Sequence, residues 1–277
     1  RQAGVTLAAG TSGRTAAVVD VRTERVEQRL VGLGEEEDAV TSLAFDARAP
    51  HVLHAGVGAA VCTFDLRAAS ETSALAGLVR RFTYSEDEVN QVTVNEKGTL
   101  LAAADDSGEV VVINLETGAL HRRLRAGGHE SLCTSAQFRP HRPYELISGG
   151  LDSRVLRWDM QSGHAKHEWN LTELRAEEAS SSASSAQLFN PPFAHRVAVG
   201  VAHTPSQRLI AVACGDGSVA LIDGDSDAAK KKGAGGRGKS ARGRAPPAQV
   251  PPVRYLAGWH PSSCAQVAWV RGGGESA

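Results

Sequence analysis

Short apolar runs that end in Asp or Asn recur along the chain at nearly regular spacing. The endings are Asp20, Asp65, Asn114, Asp159 and Asp223, at successive intervals of 45, 49, 45 and 64 residues. In the clearest run, Val155 and Arg157 alternate with Leu156 and Trp158, which is the period of two of a strand with two different faces. The Gly-Gly-Leu-Asp-Ser stretch at 149–153 is typical of a tight turn, so this unit is predicted to be a β-hairpin.

A period near 45 with four short strands in each unit predicts an all-β fold of the propeller type, in which each repeat is one blade. The longest interval is one such period with about 19 inserted residues. Because the chain begins with Arg in the middle of a repeat, we expect a fragment that supplies five blades plus partial ones at its ends. The predicted limits are 1–30 (partial), 39–82, 88–125, 131–170, 195–223 and 260–277 (partial).

Two segments interrupt this rhythm. Residues 172–187 are rich in Ser, Ala and Glu, and we expect an exposed loop there because so few apolar side chains are available for burial. Residues 225–252 are predicted to be a disordered basic loop that ends in two Pro-Pro pairs. Its cations, which have no acid among them, are Lys230, Lys231, Lys232, Arg237, Lys239, Arg242 and Arg244.

Composition narrows the function classes only a little. The net charge is -1, so the molecule as a whole has no electrostatic bias towards nucleic acid or anionic membranes. The four cysteines show neither close pairing nor metal-type spacing, which favours a reducing compartment, the cytoplasm or the nucleus. No apolar run is long enough to span a bilayer.

The fourth repeat resembles the WD-repeat propeller family. The resemblance is carried by His129, Ser148, Asp152 and Trp158, and it implies that these four side chains form a structural hydrogen-bonded tetrad. It also implies a propeller that has seven blades in related proteins. Three stretches, 100–115, 138–150 and 187–195, resemble a particular branch of the family, and the Arg-Pro-His-Arg-Pro and Leu-Phe-Asn-Pro segments within the last two are not generic to propellers.

Several motifs allow a catalytic or ligand-binding interpretation, and none is favoured. Ser148, His129 and Asp152 could be read as a nucleophilic triad, but Ser148 lies within a predicted core strand, away from any oxyanion hole. Residues 233–240 fit the phosphate-binding pattern Gly-x4-Gly-Lys-Ser without the strand and helix that the pattern requires. His164 and His167 have no further ligands nearby. We therefore expect no catalytic residue, no metal and no cofactor.

The sharpest functional candidate is the Phe64-Asp65-Leu66-Arg67 stretch. WD-repeat proteins that act as substrate receptors of cullin-RING ubiquitin ligases resemble one another in an aromatic-Asp-x-Arg box. The resemblance implies that Phe64, Asp65 and Arg67 contact the ligase's propeller adaptor, the large subunit of the damaged-DNA-binding protein. The acid that usually precedes the third strand is absent, and Asp20-Val21-Arg22 is a weaker copy without the aromatic residue.

Two alternatives stay open beside this hypothesis. Arg67 could simply pair with a nearby carboxylate on the surface, an interaction that contributes little to the stability of a protein. The chain could instead be a chromatin- or nucleic-acid-associated scaffold that uses the basic stretch 230–244, which also fits a nuclear localisation signal. No aromatic residue is interleaved with those cations, so base stacking is not expected. The sequence does not name the substrate that a ligase receptor would carry.

Overall fold

The computed structural model describes residues 6–33, 38–46, 48–68, 77–140, 142–181, 190–200, 207–225, 253–256 and 263–268. These residues form five antiparallel sheets, and we number the corresponding blades 1 to 5. Blade 1 has three described strands, β1 (Thr6–Gly10), β2 (Thr15–Asp20) and β3 (Arg25–Val31). Blade 2 has four, β4 (Val40–Phe45), β5 (Val52–Val57), β6 (Ala60–Asp65) and β7 (Leu78–Phe82).

Blades 3, 4 and 5 are also four-stranded. Blade 3 consists of β8 (Val89–Val94), β9 (Leu100–Asp105), β10 (Val110–Asn114) and β11 (Leu120–Leu124). Blade 4 consists of β12 (Cys133–Arg139), β13 (Arg142–Gly150), β14 (Arg154–Asp159) and β15 (His164–Asn170), followed by helix α1 (Leu171–Ser181). Blade 5 consists of β16 (Ala194–Val199), β17 (Leu209–Cys214), β18 (Val219–Asp223) and β19 (Val253–Leu256).

In every blade the strands pair in chain order, and the first strand of each four-stranded blade contacts the first strand of the next. We call these first strands, β4, β8, β12 and β16, the inner strands. The sheets therefore follow one another like the blades of a propeller. The predicted all-β fold of the propeller type is confirmed.

The hydrophobic core is divided among the interfaces between blades. Four buried clusters lie between blades 1 and 2, 2 and 3, 3 and 4, and 4 and 5. In β9, for example, Ala102 and Ala104 pack towards blade 4, while Leu101 and Ala103 pack towards blade 2. Because both faces are buried, the strand reads as a continuous apolar run instead of alternating with polar residues.

Each inner strand carries a β-bulge at its second residue, where the register with the neighbouring strand shifts. A bulge re-aims the side chain of the extra residue, and here it turns that side chain towards the next blade. The bulged residues are Thr41, Asn90, Thr134 and His195. The first three donate side-chain hydrogen bonds to the carbonyl oxygens of Val89, Cys133 and Ala194, each the first residue of the next inner strand.

The third residue of the inner strand completes this connection. Ser42, Gln91 and Ser135 accept hydrogen bonds from the backbone N–H groups of Val92, Ala136 and Val197, at 3.1, 3.0 and 2.9 Å. We call the pair of bonds, one donated by the bulged residue and one accepted by its successor, the inter-blade latch. It satisfies backbone groups that no strand ladder can reach, because neighbouring inner strands belong to different sheets.

Helix α1 corrects the prediction of a loop over 172–187. Asn170 caps the helix, since its Oδ1 accepts the N–H groups of Thr172 and Glu173 at 3.0 and 3.3 Å. Leu171 is buried in the cluster between blades 4 and 5, and Leu174 packs against it. A local cap and two apolar contacts therefore order a segment whose average composition suggested disorder. Residues 182–187 lie outside the described residues.

Two further expectations at the end of the chain are corrected. Blade 5, predicted to end at 223, gains its fourth strand from β19, which pairs with β18 across the intervening insertion. The sixth repeat, whose start was predicted within 260–277, forms no strand in its described part, since residues 263–268 have no regular structure. The N–H of Cys264 nevertheless donates to the carbonyl oxygen of Cys214 at 3.0 Å. Cys264 thus lies beside the last residue of β17.

Loss of one latch should measurably weaken the fold. Gln91→Leu keeps the approximate volume of the side chain but leaves the buried N–H of Ala136 without its acceptor, which should cost about 1–3 kcal/mol of unfolding free energy. Urea denaturation of the chain measures this. The matched control is Gln161→Leu in an exposed turn, where we expect a change within about 0.5 kcal/mol. Equal effects of the two substitutions would contradict the role assigned to the latch.

Candidate functional site

The turn that follows the strand ending in the recurrent Asp or Asn has the same local geometry in all five blades. This strand is the third of each four-stranded blade and is β2 in blade 1. An Asp or Asn side chain at the end of the strand accepts the backbone N–H of the residue two positions later, which forms an Asx turn. The pairs are Asp20–Arg22, Asp65–Arg67, Asn114–Glu116, Asp159–Gln161 and Asp223–Asp225, at 2.8 to 3.1 Å. The recurrent Asp or Asn is therefore required by the turn itself, whatever else it does. The residue two positions later is the variable one.

Two of these turns carry an arginine, and Arg67 is the more tightly bonded of the two. Its Nε donates to Oδ1 of Asp65 at 3.0 Å, and its Nη2 donates to Oδ2 at 2.7 Å. The side chain is still 68% exposed, so the remaining edge of the guanidinium is open to a partner. The Arg67 hydrogen bonds lower the pKa of Asp65 to about 2, so the pair stays ionised at neutral pH.

The turn that carries Arg67 is held firmly on both sides. The N–H of Leu66 donates to the carbonyl oxygen of His51 at 2.8 Å, and the carbonyl of Leu66 accepts Nε2 of Gln28 in blade 1 at 3.0 Å. By contrast, Arg22 in the equivalent turn of blade 1 approaches Asp20 only to 3.8 Å. The Arg67 guanidinium is therefore held by two hydrogen bonds, whereas that of Arg22 makes only a longer contact with its carboxylate.

Phe64 has to be removed from the predicted adaptor-binding set. Its side chain has no exposed surface and lies in the cluster between blades 1 and 2. Successive residues of a strand point to opposite faces, so Phe64 enters the interface while Asp65 leaves the sheet into the turn. An aromatic residue at this place anchors the strand and cannot touch a partner protein.

The four residues predicted as a tetrad lie in a single chain of hydrogen bonds. His129 Nδ1 lies 3.0 Å from Oδ1 of Asp152, and His129 Nε2 lies 2.8 Å from Oγ of Ser148. The Nε1–H of Trp158 donates to the same Ser148 oxygen at 2.8 Å. The arrangement is satisfied when His129 donates through Nδ1 to the carboxylate and accepts the Ser148 hydroxyl proton at Nε2.

This network has the properties of a structural clamp. Ser148 and Trp158 are fully buried, and Oγ of Ser148 is already engaged twice, so it cannot reach a substrate. Burial raises the pKa of Asp152, but hydrogen bonds from His129 and from two backbone N–H groups outweigh it, and the net effect is a lowered pKa. The ionised carboxylate thereby ties the turn between β13 and β14 to the loop that enters the blade.

A buried ion cluster that the sequence did not predict connects blades 4 and 5. Arg139 is almost fully buried and pairs with Glu145 at 2.6 Å and with Asp225 at 2.8 Å. Arg157 donates to the carbonyl oxygen of Gly224 at 2.6 Å. The cluster fixes the point at which the basic segment leaves β18. In the sequence, the unusual Arg-Pro-His-Arg-Pro stretch at 139–143 was the feature that could have pointed to this ion cluster.

The basic stretch 230–244 and the Gly-x4-Gly-Lys-Ser match at 233–240 lie outside the described residues. Their attachment points are defined, because the insertion joins β18 to β19. The insertion follows the Asp223–Asp225 turn, so it leaves blade 5 at the position where Asp65 and Arg67 lie in blade 2.

Other ligand sites are not apparent in the part of the chain that the structure describes. No group of three or more His, Cys, Asp or Glu side chains is placed there to hold a metal ion. His167 is buried against the ring of Trp169, with ring centres 4.3 Å apart, while His164 is exposed. No described helix is long and apolar enough to cross a membrane.

No protein-family model matches the chain. Among curated proteins, it is similar to the WD repeat-containing protein 53 homolog of Dictyostelium discoideum, with 25% identity over 223 residues that cover 78% of this chain and 58% of that protein. It is 28% identical over 136 residues to U3 small nucleolar RNA-associated protein 15 of Schizosaccharomyces pombe, covering 49% of this chain and 26% of that protein. Protein SLOW WALKER 1 of Arabidopsis thaliana is 31% identical over 122 residues, covering 44% and 21%. The chain thus spans between about a fifth and three fifths of the length of these relatives.

Removal of the central hydroxyl of the tetrad should destabilise the fold. Ser148→Ala leaves the buried indole N–H of Trp158 without an acceptor, and we expect a loss of about 1–3 kcal/mol in urea denaturation. Ser162→Ala in an exposed turn is the control. A Ser148→Ala variant as stable as the control would contradict the structural role.

The stability of the chain should also depend on pH through Asp152. Because the pKa of Asp152 is lower in the folded state, its ionised carboxylate stabilises the fold above the unfolded pKa, and this stabilisation is lost as the pH falls through the folded pKa.

Proposed function

We propose that this chain, whose fold and relatives support membership of the WD-repeat family, is a non-catalytic scaffold for protein–protein interactions. Propellers of this kind offer rims and turns on a rigid frame, and function has to be argued from a particular site on that frame. The finer proposal is that the chain is a substrate receptor of a cullin-RING ubiquitin ligase. Arg67 is the residue that would contact the propeller adaptor.

One observation carries this proposal, the exposed and bidentately held guanidinium of Arg67. A planar, permanently charged head that is already oriented loses little conformational entropy when it binds. Interface arginines of this kind are frequent hot spots. Asp65 serves as the positioning residue, because its carboxylate holds one edge of the guanidinium and leaves the other for the partner.

A second candidate function uses the basic stretch 230–244. Its seven cations without an acid provide charge for contact with phosphate backbones, and one relative is named as associated with a small nucleolar RNA. In this hypothesis the chain is a scaffold associated with chromatin or RNA, and the same stretch serves as a nuclear localisation signal. Residence in the nucleus and the cytoplasm fits both candidates.

Substitution of Arg67 tests the first candidate. Arg67→Ala should weaken binding of the purified adaptor by roughly tenfold or more in biolayer interferometry, as expected for a hot-spot residue. Arg48→Ala is the matched control, since Arg48 is an arginine of the same blade that is 59% exposed and makes one long ion pair, 3.8 Å, with Glu116. Asp65→Ala should give an intermediate loss, because it removes the positioning carboxylate. Unchanged affinity of Arg67→Ala would exclude the proposed contact.

Replacement of residues 228–248 by a Gly-Ser linker of equal length tests the second candidate. The unmodified chain should bind a fluorescein-labelled single-stranded RNA with a log–log salt slope of up to about -5, if all seven cations contact phosphates. The replacement should remove this binding. A chain with residues 182–187 replaced in the same way is the control. RNA binding that survives the replacement, or that does not respond to salt, would rule out this use of the basic stretch.

A further inference from the structure

In blades 1, 2 and 3, the outermost strand donates a side-chain hydrogen bond to the turn of the next blade. The donors are Gln28 of β3, Arg80 of β7 and Arg122 of β11, and the acceptors are the carbonyl oxygens of Leu66, Leu115 and Gln161, at 2.9 to 3.0 Å. The three donors occupy equivalent places, because each lies directly beside the register shift between the outer two strands of its blade. A hydrogen bond at this place is therefore a recurrent feature of the fold.

Gln28 fixes the peptide unit that leads directly into Arg67. Its Nε2 donates to the carbonyl oxygen of Leu66 at 3.0 Å, and the N–H of the same peptide unit, which belongs to Arg67, donates to Oδ1 of Asp65 at 2.9 Å. Because the peptide is planar and both of its polar groups are engaged, it cannot rotate without the loss of a hydrogen bond. The direction in which Arg67 leaves the backbone is thus set by Asp65 in its own blade and by Gln28 in blade 1.

Gln28 differs from the other donors in charge. The interfaces that lead into blades 3, 4 and 5 use arginines, namely Arg80, Arg122 and, from β14, Arg157, which donates to the carbonyl oxygen of Gly224. In those three blades the residue two positions after the recurrent Asp or Asn is acidic or neutral: Glu116, Gln161 and Asp225. In blade 2 it is Arg67, and an arginine in place of Gln28 would bring a like charge close to it. A neutral amide makes the same hydrogen bond without that repulsion.

We propose that Gln28 is a positioning residue for the contact between Arg67 and the propeller adaptor. The inference rests on the proposed function, because it assigns Gln28 a role in that same contact. Gln28 is half-buried and its amide nitrogen is bonded to Leu66, so it acts on the partner through Arg67. An arginine whose backbone is already fixed loses less conformational entropy on association, and release of that backbone should lower the affinity. The adaptor contact therefore depends on two blades, although only blade 2 supplies the arginine.

Gln28→Met tests the inference, because methionine has a similar length and no donor. We expect it to weaken binding of the purified adaptor about two- to tenfold in biolayer interferometry, which is the range expected for the ordering of one side chain. Arg80→Met and Arg122→Met are the matched controls. Each removes the same kind of hydrogen bond at another interface between blades, and each should leave the affinity for the adaptor unchanged.

A double-mutant cycle separates positioning from a general effect on the fold. If Gln28 acts through Arg67, Gln28→Met should weaken binding by the unmodified chain and should cause no further loss in an Arg67→Ala chain. An equal loss in both backgrounds would show that Gln28 acts independently of Arg67, and it would overturn the inference. A loss of the same size in Arg80→Met or Arg122→Met would do so as well, since it would assign the effect to the fold as a whole.

Failure of this inference can be distinguished from failure of the proposed function. Full affinity of Gln28→Met, beside weakened binding by Arg67→Ala, would overturn the role of Gln28 and leave the adaptor contact standing. Full affinity of Arg67→Ala would overturn the adaptor contact itself, and the role of Gln28 with it.

Discussion

The structure depends on the satisfaction of the polar groups of its inner strands. These strands lie side by side at the meeting point of the blades, yet each belongs to its own sheet, so no ladder of backbone hydrogen bonds joins them. A bulge at the second residue turns a donor towards the next strand, and the third residue accepts an N–H from it. Side chains thus replace the missing ladder, and blades 2, 3 and 4 are each fixed in register to the next. The apolar clusters follow the same logic, because blades 2, 3 and 4 bury both faces against neighbours and stability accumulates from one interface to the next.

Periodicity was sufficient to predict the sheets and most of their strands, because an Asp or Asn at the end of each third strand is required by the turn. The elements that periodicity missed depend on contacts between residues that are far apart in the sequence or on local features that composition conceals. Strand β19 is defined by its pairing with β18 across an insertion, and nothing in Val253–Leu256 alone distinguishes it from the segment before it. Helix α1 could have been recognised from the cap Asn170 and from Glu173, but its composition concealed them. The inner-strand bulges are invisible to pattern reasoning, since a single extra residue leaves the apolar run intact.

The candidate site, too, was predicted in part from the sequence and completed by contacts that only the structure shows. Arg67 was identified from a motif, and the structure adds the orientation of its guanidinium and the anchoring of its turn by His51 and Gln28. Phe64 came from the same motif and belongs to the core, because a short motif does not separate residues that face a partner from residues that hold the strand. The tetrad of blade 4 came from a family resemblance. Its four residues hold the blade together, and the most complete repeat is for that reason uninformative about binding.

Repeats provide an internal comparison that a single-copy fold lacks. Where several blades place an equivalent residue in an equivalent role, the geometry of the fold explains the residue, as it does for the Asx turns and for Ser42, Gln91 and Ser135. A residue that departs from the role is not explained by the geometry of the repeat, and its own contacts have to account for it. Arg196 is one such residue, because it stands where Ser42, Gln91 and Ser135 accept a hydrogen bond and a guanidinium has no acceptor.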